Sequence, residues 1–287
     1  MYLVLGATGH VGSAVAQSLL AAGEPVTVIT HDTGKTTEWQ QRGATVAVAD
    51  VHDEDQLRQV FRQGKRLFIL NPPAPPATDT AREERRSVAT ILAALTDSGI
   101  EKIVAESTYG AQPGDRIGDL GVLYELEQGL AATGIPASII RAAYYMSNWD
   151  MALPTAQQED KVYTLYPLNF KLPMVAPQDI GQVAARLLRA PLDQTGLHYV
   201  EGPAAYSSAD VAAAFAAALG KPVQVAEIPR DQWQASLTQK GFSPEAAESM
   251  AAMTALTLNQ KYELPTSPLR GTTTLGEYIT ELVSPRP

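Results

Sequence analysis

Short apolar runs rich in β-branched residues alternate with amphipathic stretches through the first half of the chain: MYLVL, VGSAVAQSLLAAG, PVTVIT, TTEWQQRG, ATVAVAD, DEDQLRQVFRQG, RLFILN, ERRSVATILAALTDSG and KIVAES. Runs this brief and uninterrupted suit strands buried on both faces. The stretches between them end in Gly23, Gly43, Gly64 and Gly99, the residue type that closes a helix in a left-handed cap. Repeated βαβ units require a parallel sheet covered by helices, so the expectation is an α/β, doubly wound sheet of the Rossmann type.

A further unit adds a helix over 120–133, closed by Gly134, and the strand PASIIRAA. After Asn148 the texture changes to Pro-broken pieces and helices such as PQDIGQVAARLLRAP and SSADVAAAFAAALG, with KLPMVAP and LHYVEG as short strands. Residues 1–150 are therefore read as the main sheet domain. Residues 151–287 are read as a smaller α+β portion capping its ligand edge, some segments of which return to the sheet.

Composition narrows the function. Hydrophobic residues at 45% against charged ones at 18% place the chain among folded proteins. A net charge of -9 repels polyanions, so neither nucleic acid nor an anionic membrane is an expected partner. The absence of cysteine excludes disulfides, thiolate metal sites and a Cys nucleophile. The histidines, His10, His31, His52 and His198, lack ligand spacing, and no metal site is expected. Met1 leads straight into a strand and no apolar run could span a bilayer, which points to a cytoplasmic chain.

The stretch GATGHVG at 6–12 lies between a strand and a helix, the setting of a dinucleotide's pyrophosphate. Its spacing is Gly-x-x-Gly-x-x-Gly, a variant of the usual Gly-x-Gly-x-x-Gly. Gly6 permits the tight turn, Gly9 lets backbone approach the phosphates, and Gly12 lets the helix pack on the strand. Thr8, His10 and Val11 then offer N–H or hydroxyl groups. The bland alternative is an ordinary βα turn.

Together with this stretch, AD at 49–50, LNPP at 70–73, ESTYGA at 106–111, RAAYYMSNW at 141–149 and PQDIGQVAARLL at 177–188 resemble the NmrA-like group of atypical short-chain dehydrogenases/reductases. Within it the chain is most similar to the quinone- and azo-reductase branch, which uses NAD(P)H. The resemblance implies a Rossmann fold, NADP(H) as preferred cofactor with NAD(H) accepted, and a homodimer. The group also contains regulators that bind the dinucleotide as a redox signal.

Cofactor contacts are expected at the carboxyl ends of the strands. After the second strand, Thr30, His31 and Lys35 face the 2′ position. Thr30 stands where NADPH-preferring members usually carry Arg, and Asp32 favours NAD(H). Asp50 and Val51 frame the adenine, and Asn71 and Pro72 run beside the ribose and pyrophosphate. Ser107 and Thr108 meet the nicotinamide, and Gln128 meets a ribose.

Catalysis is less defined. The short-chain dehydrogenase Tyr-x-x-x-Lys element reads Tyr124 to Gln128 here, so the tyrosine lacks the lysine that would lower its pKa. Tyr124 is the candidate proton donor, but reduction of a conjugated acceptor can proceed by positioning alone. A small aromatic substrate would then lie in an apolar slot walled by Tyr109, Tyr144, Tyr145, Met146 and Trp149, with Met250 and Met253 closing it. Three readings follow: a quinone- or azo-type reductase, a dinucleotide-binding sensor, and a carbonyl reductase acting through Tyr124.

Overall fold

A computed structural model describes residues 1–284. β1 (Tyr2–Leu5) leads into α1 (His10–Ala21), β2 (Val26–Thr30) into α2 (Thr36–Gln41), β3 (Thr45–Val48) into α3 (Glu54–Phe61), β4 (Arg66–Ile69) into α4 (Thr80–Ala94), and β5 (Lys102–Thr108) into α5 (Asp119–Ala132). β6 (Ala137–Ala142) and β7 (Tyr144–Tyr145) precede α6 (Leu153–Gln158), β8 (Lys161–Thr164), β9 (Leu172–Val175) and α7 (Pro177–Arg189). The rest comprises β10 (Gly196–Glu201), β11 (Ala205–Tyr206), α8 (Ser208–Leu219), β12 (Gln224–Glu227), α9 (Trp233–Gln239), α10 (Pro244–Leu258), β13 (Leu269–Arg270) and α11 (Leu275–Val283).

Eight strands form one parallel sheet in the order β13-β10-β6-β5-β4-β1-β2-β3. Strand order reverses at β1, which has β2 on one side and β4 on the other, so a crevice opens above their carboxyl ends. Both faces are covered, as the apolar runs require. Leu3 and Leu5 join one core cluster with Leu57 of α3, Ile91 of α4 and Leu126 of α5. Val4 points the other way, into a cluster with Val15 of α1 and Ile180 and Ala184 of α7. α1 and α7 approach closely because Gly181 lacks a side chain: a β-carbon there would come within 2.6 Å of the Ala14 backbone. A third cluster, with Met146, Trp149, Tyr166, Met174, Phe215 and Ile279, is gathered almost wholly from residues after 145.

One expected helix cap is corrected. Gly23, Gly43 and Gly99 have positive φ, but Gly64 does not. It is required for closeness, since a β-carbon there would meet the Leu3 side chain at 2.4 Å.

The end of α7 is held by two cations, one buried and one half-buried. Lys102, fully buried, donates from Nζ to the carbonyls of Pro191 at 2.6 Å, Gln194 at 2.8 Å and Ala190 at 3.3 Å. Arg66 donates to Ala190 O at 2.6 Å and also to Leu188 O. Burial pulls the Lys102 pKa down, while the carbonyls favour the ammonium. Lys102→Met should cost about 2–4 kcal/mol in urea denaturation, because carbonyls are left unpaired where water has little access. A loss below about 0.5 kcal/mol, the range of a surface change, would mean that water replaces the ammonium.

Candidate functional site

The turn between β1 and α1 divides its work among three glycines. Gly6 sits at φ +81, a left-handed conformation. A β-carbon on Gly12 would lie 2.2 Å from Gly6 O, so only glycine lets α1 start this close to β1. At Gly9 the nearest atom to such a carbon would be Gly6 O, 3.6 Å away. The protein itself therefore leaves room for a side chain at Gly9, and its bare backbone faces outward.

Gly9 is the N-cap of α1 and offers no side-chain cap, and no acid occupies the first turn. The first helical N–H groups, those of His10, Val11 and Gly12, lack intrahelical partners and favour an anion. α3, α4, α8, α10 and α11 instead spend Asp53, Asp79, Ser207, Ser243 and Thr274 on their own caps. Lys35 reaches over to Thr8 O at 3.4 Å, which puts a cation beside the turn. Exposed His10 stands 3.4 Å from Asp150, across from the aromatic loop. These groups fit a diphosphate.

At the end of β2, Thr30 is buried and its hydroxyl accepts from Asp32 N at 2.9 Å. Asp32 in turn accepts from Gly34 N at 2.8 Å. Both side chains are engaged in the turn, leaving His31 and Lys35 exposed beside it. Asp50 accepts from His52 N at 2.9 Å, and Val51 packs against the core under α3. At the end of β4, Asn71 donates to Glu84 O at 3.3 Å, while its Oδ1 is buried without a partner. An orphaned acceptor beside the crevice matches a ribose hydroxyl. Pro72 follows, half-buried.

The end of β5 differs from expectation. Ser107 is buried and donates to Glu127 at 2.5 Å, and Glu127 holds Arg141 through bonds of 2.9 and 2.7 Å. The serine hydroxyl is thus directed at α5. Thr108 remains half-exposed, whereas Tyr109 is buried with its hydroxyl on Glu201 at 2.8 Å. On α5, Tyr124 is half-buried and Gln128, four residues on, is exposed. The carboxylates flanking Tyr124 are each paired with an arginine, Glu125 with Arg85 and Glu127 with Arg141.

The aromatic loop is a packed structure. Tyr144 meets Tyr166 edge-on at 5.8 Å and Trp149 at 6.1 Å, and Phe170 stacks on Tyr166 at 6.0 Å. Met146 exposes no surface and Trp149 only 5%, so Met146 backs the loop from the core and cannot line a slot. Tyr144 and Tyr145 are half-buried. Met250 and Met253 are half-buried on α10, and the Met253 sulfur approaches Gly118 at the start of α5.

Buried carboxyls here were missed by sequence reasoning. Tyr145 donates to Glu106 at 2.7 Å, and burial pushes the Glu106 pKa up to about 8. Glu84, buried, accepts from Ala74 N at 3.0 Å and shares a hydrogen bond with Asp119 at the start of α5; desolvation raises both. The available signal was one glutamate inside an apolar strand, KIVAES. A separate groove of about 500 Å³, lined by Leu130, Ile135, Ile139 and Leu192, lies at the amino ends of β6 and β10, on the opposite edge. Among the described residues no cluster of acids and histidines could hold a metal, and no helix is long and apolar enough to cross a membrane.

A parallel sheet whose order reverses beside a glycine turn and an uncapped helix start is the Rossmann-type nucleotide-binding architecture. The model of the NmrA-like family matches residues 2–279, and the chain belongs to that family. It is 27% identical to NAD(P)H azoreductase of Xenophilus azovorans, covering 89% of this chain and 87% of that protein. It is 29% identical to the nitrogen metabolite regulation-like protein bik4 of Gibberella fujikuroi, over 87% of this chain and 83% of that one. The triphenylmethane reductase of Citrobacter sp., solved with NADP(H), superimposes with a TM-score of 0.80 at 18% identity, covering 98% and 99% of the two chains.

Proposed function

We propose that this chain is an NAD(P)H-dependent reductase passing a hydride to a conjugated aromatic acceptor of quinone or azo type, with NADP(H) preferred and NAD(H) accepted. The observation that carries the reading is the β1–α1 turn, where a position with room for a side chain is left bare before uncapped N–H groups. The cofactor would supply the hydride. Gly6, Gly9 and Gly12 shape its cradle, the N–H groups of His10, Val11 and Gly12 with Thr8 hold the diphosphate, and Asn71 and Pro72 flank the ribose. Lys35 and His31 supply charge and donors for a 2′-phosphate, and Asp50 and Val51 border the adenine. Residues 151–287 would cap this edge, with Tyr144 and Tyr145 toward the acceptor.

The azoreductase relative supports the acceptor class. A net charge of -9 fits a cytoplasmic enzyme acting on small molecules without nucleic acid. A homodimer is the proposed assembly, checked by sedimentation. The direct test follows loss of reduced-cofactor absorbance with a panel of quinones and azo dyes. Tight cofactor binding without turnover on any of them would count against the reading.

A second reading, a redox sensor, is favoured by the exposed Gln128 in place of a lysine and by the regulatory relative. A sensor must discriminate oxidation states, so equal calorimetric affinities for NADP⁺ and NADPH would remove it. For a carbonyl reductase working through Tyr124, unchanged activity in Tyr124→Phe is the disqualifying result.

A further inference from the structure

Glu106 and Tyr145 form a pair to which the reductase reading gives no part in proton transfer. Glu106 is 3% exposed. One of its oxygens accepts from the Tyr145 hydroxyl at 2.7 Å, and the other, Oε2, is buried with no partner. Among the described residues no cation faces this carboxyl: burial and the tyrosine hydroxyl are what act on it. The other charge felt by Tyr145 is Asp119, at the start of α5, itself bonded to Glu84 of α4. A carboxyl so placed retains its proton, because the anion would stand desolvated and unpaired.

The pair also occupies the working edge of the sheet. Alternation along β5 turns Glu106 to the same side as Val104, the side covered by α1. Tyr145 packs on the cluster that includes Ala7 and Val11 of the glycine turn, and Leu70, at the end of β4, packs there too. Its ring remains half-buried. Tyr145 follows the carboxyl end of β6 and meets Glu106 near the carboxyl end of β5, so the pair lies at the carboxyl edge of the sheet with a protonated acid behind the tyrosine hydroxyl.

We propose that Tyr145 is the proton donor of the reductase and that Glu106 is the positioning residue that replaces the donated proton. The proposal rests on the reductase reading. The acceptor gains two electrons and one hydrogen from the reduced nicotinamide, which is oxidised, and is left with a negative oxygen or nitrogen. The Tyr145 O–H turns from Glu106 to the bound acceptor and breaks as its proton passes to that atom, while the carboxyl O–H of Glu106 comes to face the tyrosine oxygen across the same 2.7 Å contact. The Glu106 O–H bond then breaks to restore the phenol, and water returns a proton to the carboxylate. One proton is drawn from solvent per turnover. Burial holds the phenol pKa well above its ordinary value, so the hydroxyl stays protonated between turnovers.

Tyr145→Phe should lower kcat for a quinone or azo dye about 100-fold, a typical worth of general acid catalysis, with calorimetric NADPH affinity unchanged. Glu106→Gln should lose the basic limb of the kcat profile near pH about 8, and Glu106→Asp should restore part of it. A readout without cofactor is infrared spectroscopy of the free protein. Wild type should show protonated-carboxyl absorption at neutral pH that fades above about pH 8, and the wild-type minus Glu106→Gln difference spectrum should isolate the Glu106 share of it, since Glu84 keeps its own band in both proteins. Wild-type turnover by Tyr145→Phe at every pH, or no such band from Glu106, overturns the proposal. If wild type binds NADPH yet reduces no acceptor, the reductase reading fails and takes the donor role with it; a Glu106 band then shows a proton reservoir only.

Discussion

Conformational stability of the cofactor-free protein should fall as pH rises from about 5 to 9, with Glu106 carrying a large share of the slope. Its pKa in the fold is about 8, against an ordinary carboxyl value of 4.5. Between those values the folded protein binds more protons than the unfolded chain, so unfolding free energy decreases with pH. The sign is opposite to that of a salt-bridged carboxylate. Stability is highest below the unfolded value and the loss is complete above the folded one. At about 1.4 kcal/mol per pKa unit the full effect is on the order of 3–5 kcal/mol. Glu84, raised by desolvation and by Asp119, adds a contribution of the same sign. Glu106→Gln imitates the protonated carboxyl in shape and cannot ionise. It should match wild type in urea midpoint near pH 5 and exceed it near pH 9. Parallel pH curves for the two proteins would show that Glu106 is ionised in the fold at no cost.

The sequence pattern was sufficient wherever two faces had to be filled. Leu3, Val4 and Leu5 alternate between cores, and that continuity is what marks a doubly covered strand. The three-glycine turn was legible for a similar reason, since its order of apolar run, glycines and helix is local. The misread positions depend on non-local relations. Gly64 looks like any helix-closing glycine until Leu3, from a distant strand, is set against it. Ser107 carries a hydroxyl at the expected strand end, but strand phase turns it toward Glu127, twenty residues on. Met146 sits in an aromatic loop whose sequence suggests a binding wall, whereas β9, α8 and α11 close over it. Glu106 was passed over because a single acid in a strand is ordinarily an edge residue, and only the pairing of β5 between β4 and β6 makes it buried. Asp179 was invisible in the same way: it receives Thr273 N at 3.0 Å from a segment far along the chain.

The sharpest contrast is expected between two adjacent glycines of the turn. Gly12→Ala places a β-carbon 2.2 Å from Gly6 O, 2.5 Å from Gly6 C and 2.9 Å from Ala7 N. All three are backbone atoms, so no side chain can move aside, and α1 must shift away from β1. The expected cost is about 3 kcal/mol or more, the upper range for overpacking. Cofactor affinity should fall with it, since the N–H groups of the first turn move. Gly9→Val should behave in the opposite way. Its backbone, at φ -94 and ψ 175, is open to any residue, and the nearest atom to a β-carbon is 3.6 Å away. Stability should stay within about 0.5 kcal/mol of wild type, as for a surface change. NADPH affinity should nevertheless drop about 100-fold, on the order of 3 kcal/mol, because the new side chain occupies the space a diphosphate needs. Denaturation and calorimetry on the same preparations separate the two losses. A stable Gly9→Val protein that binds NADPH as wild type does would mean that the bare face of the turn serves no ligand, and the nucleotide assignment would lose the observation it stands on.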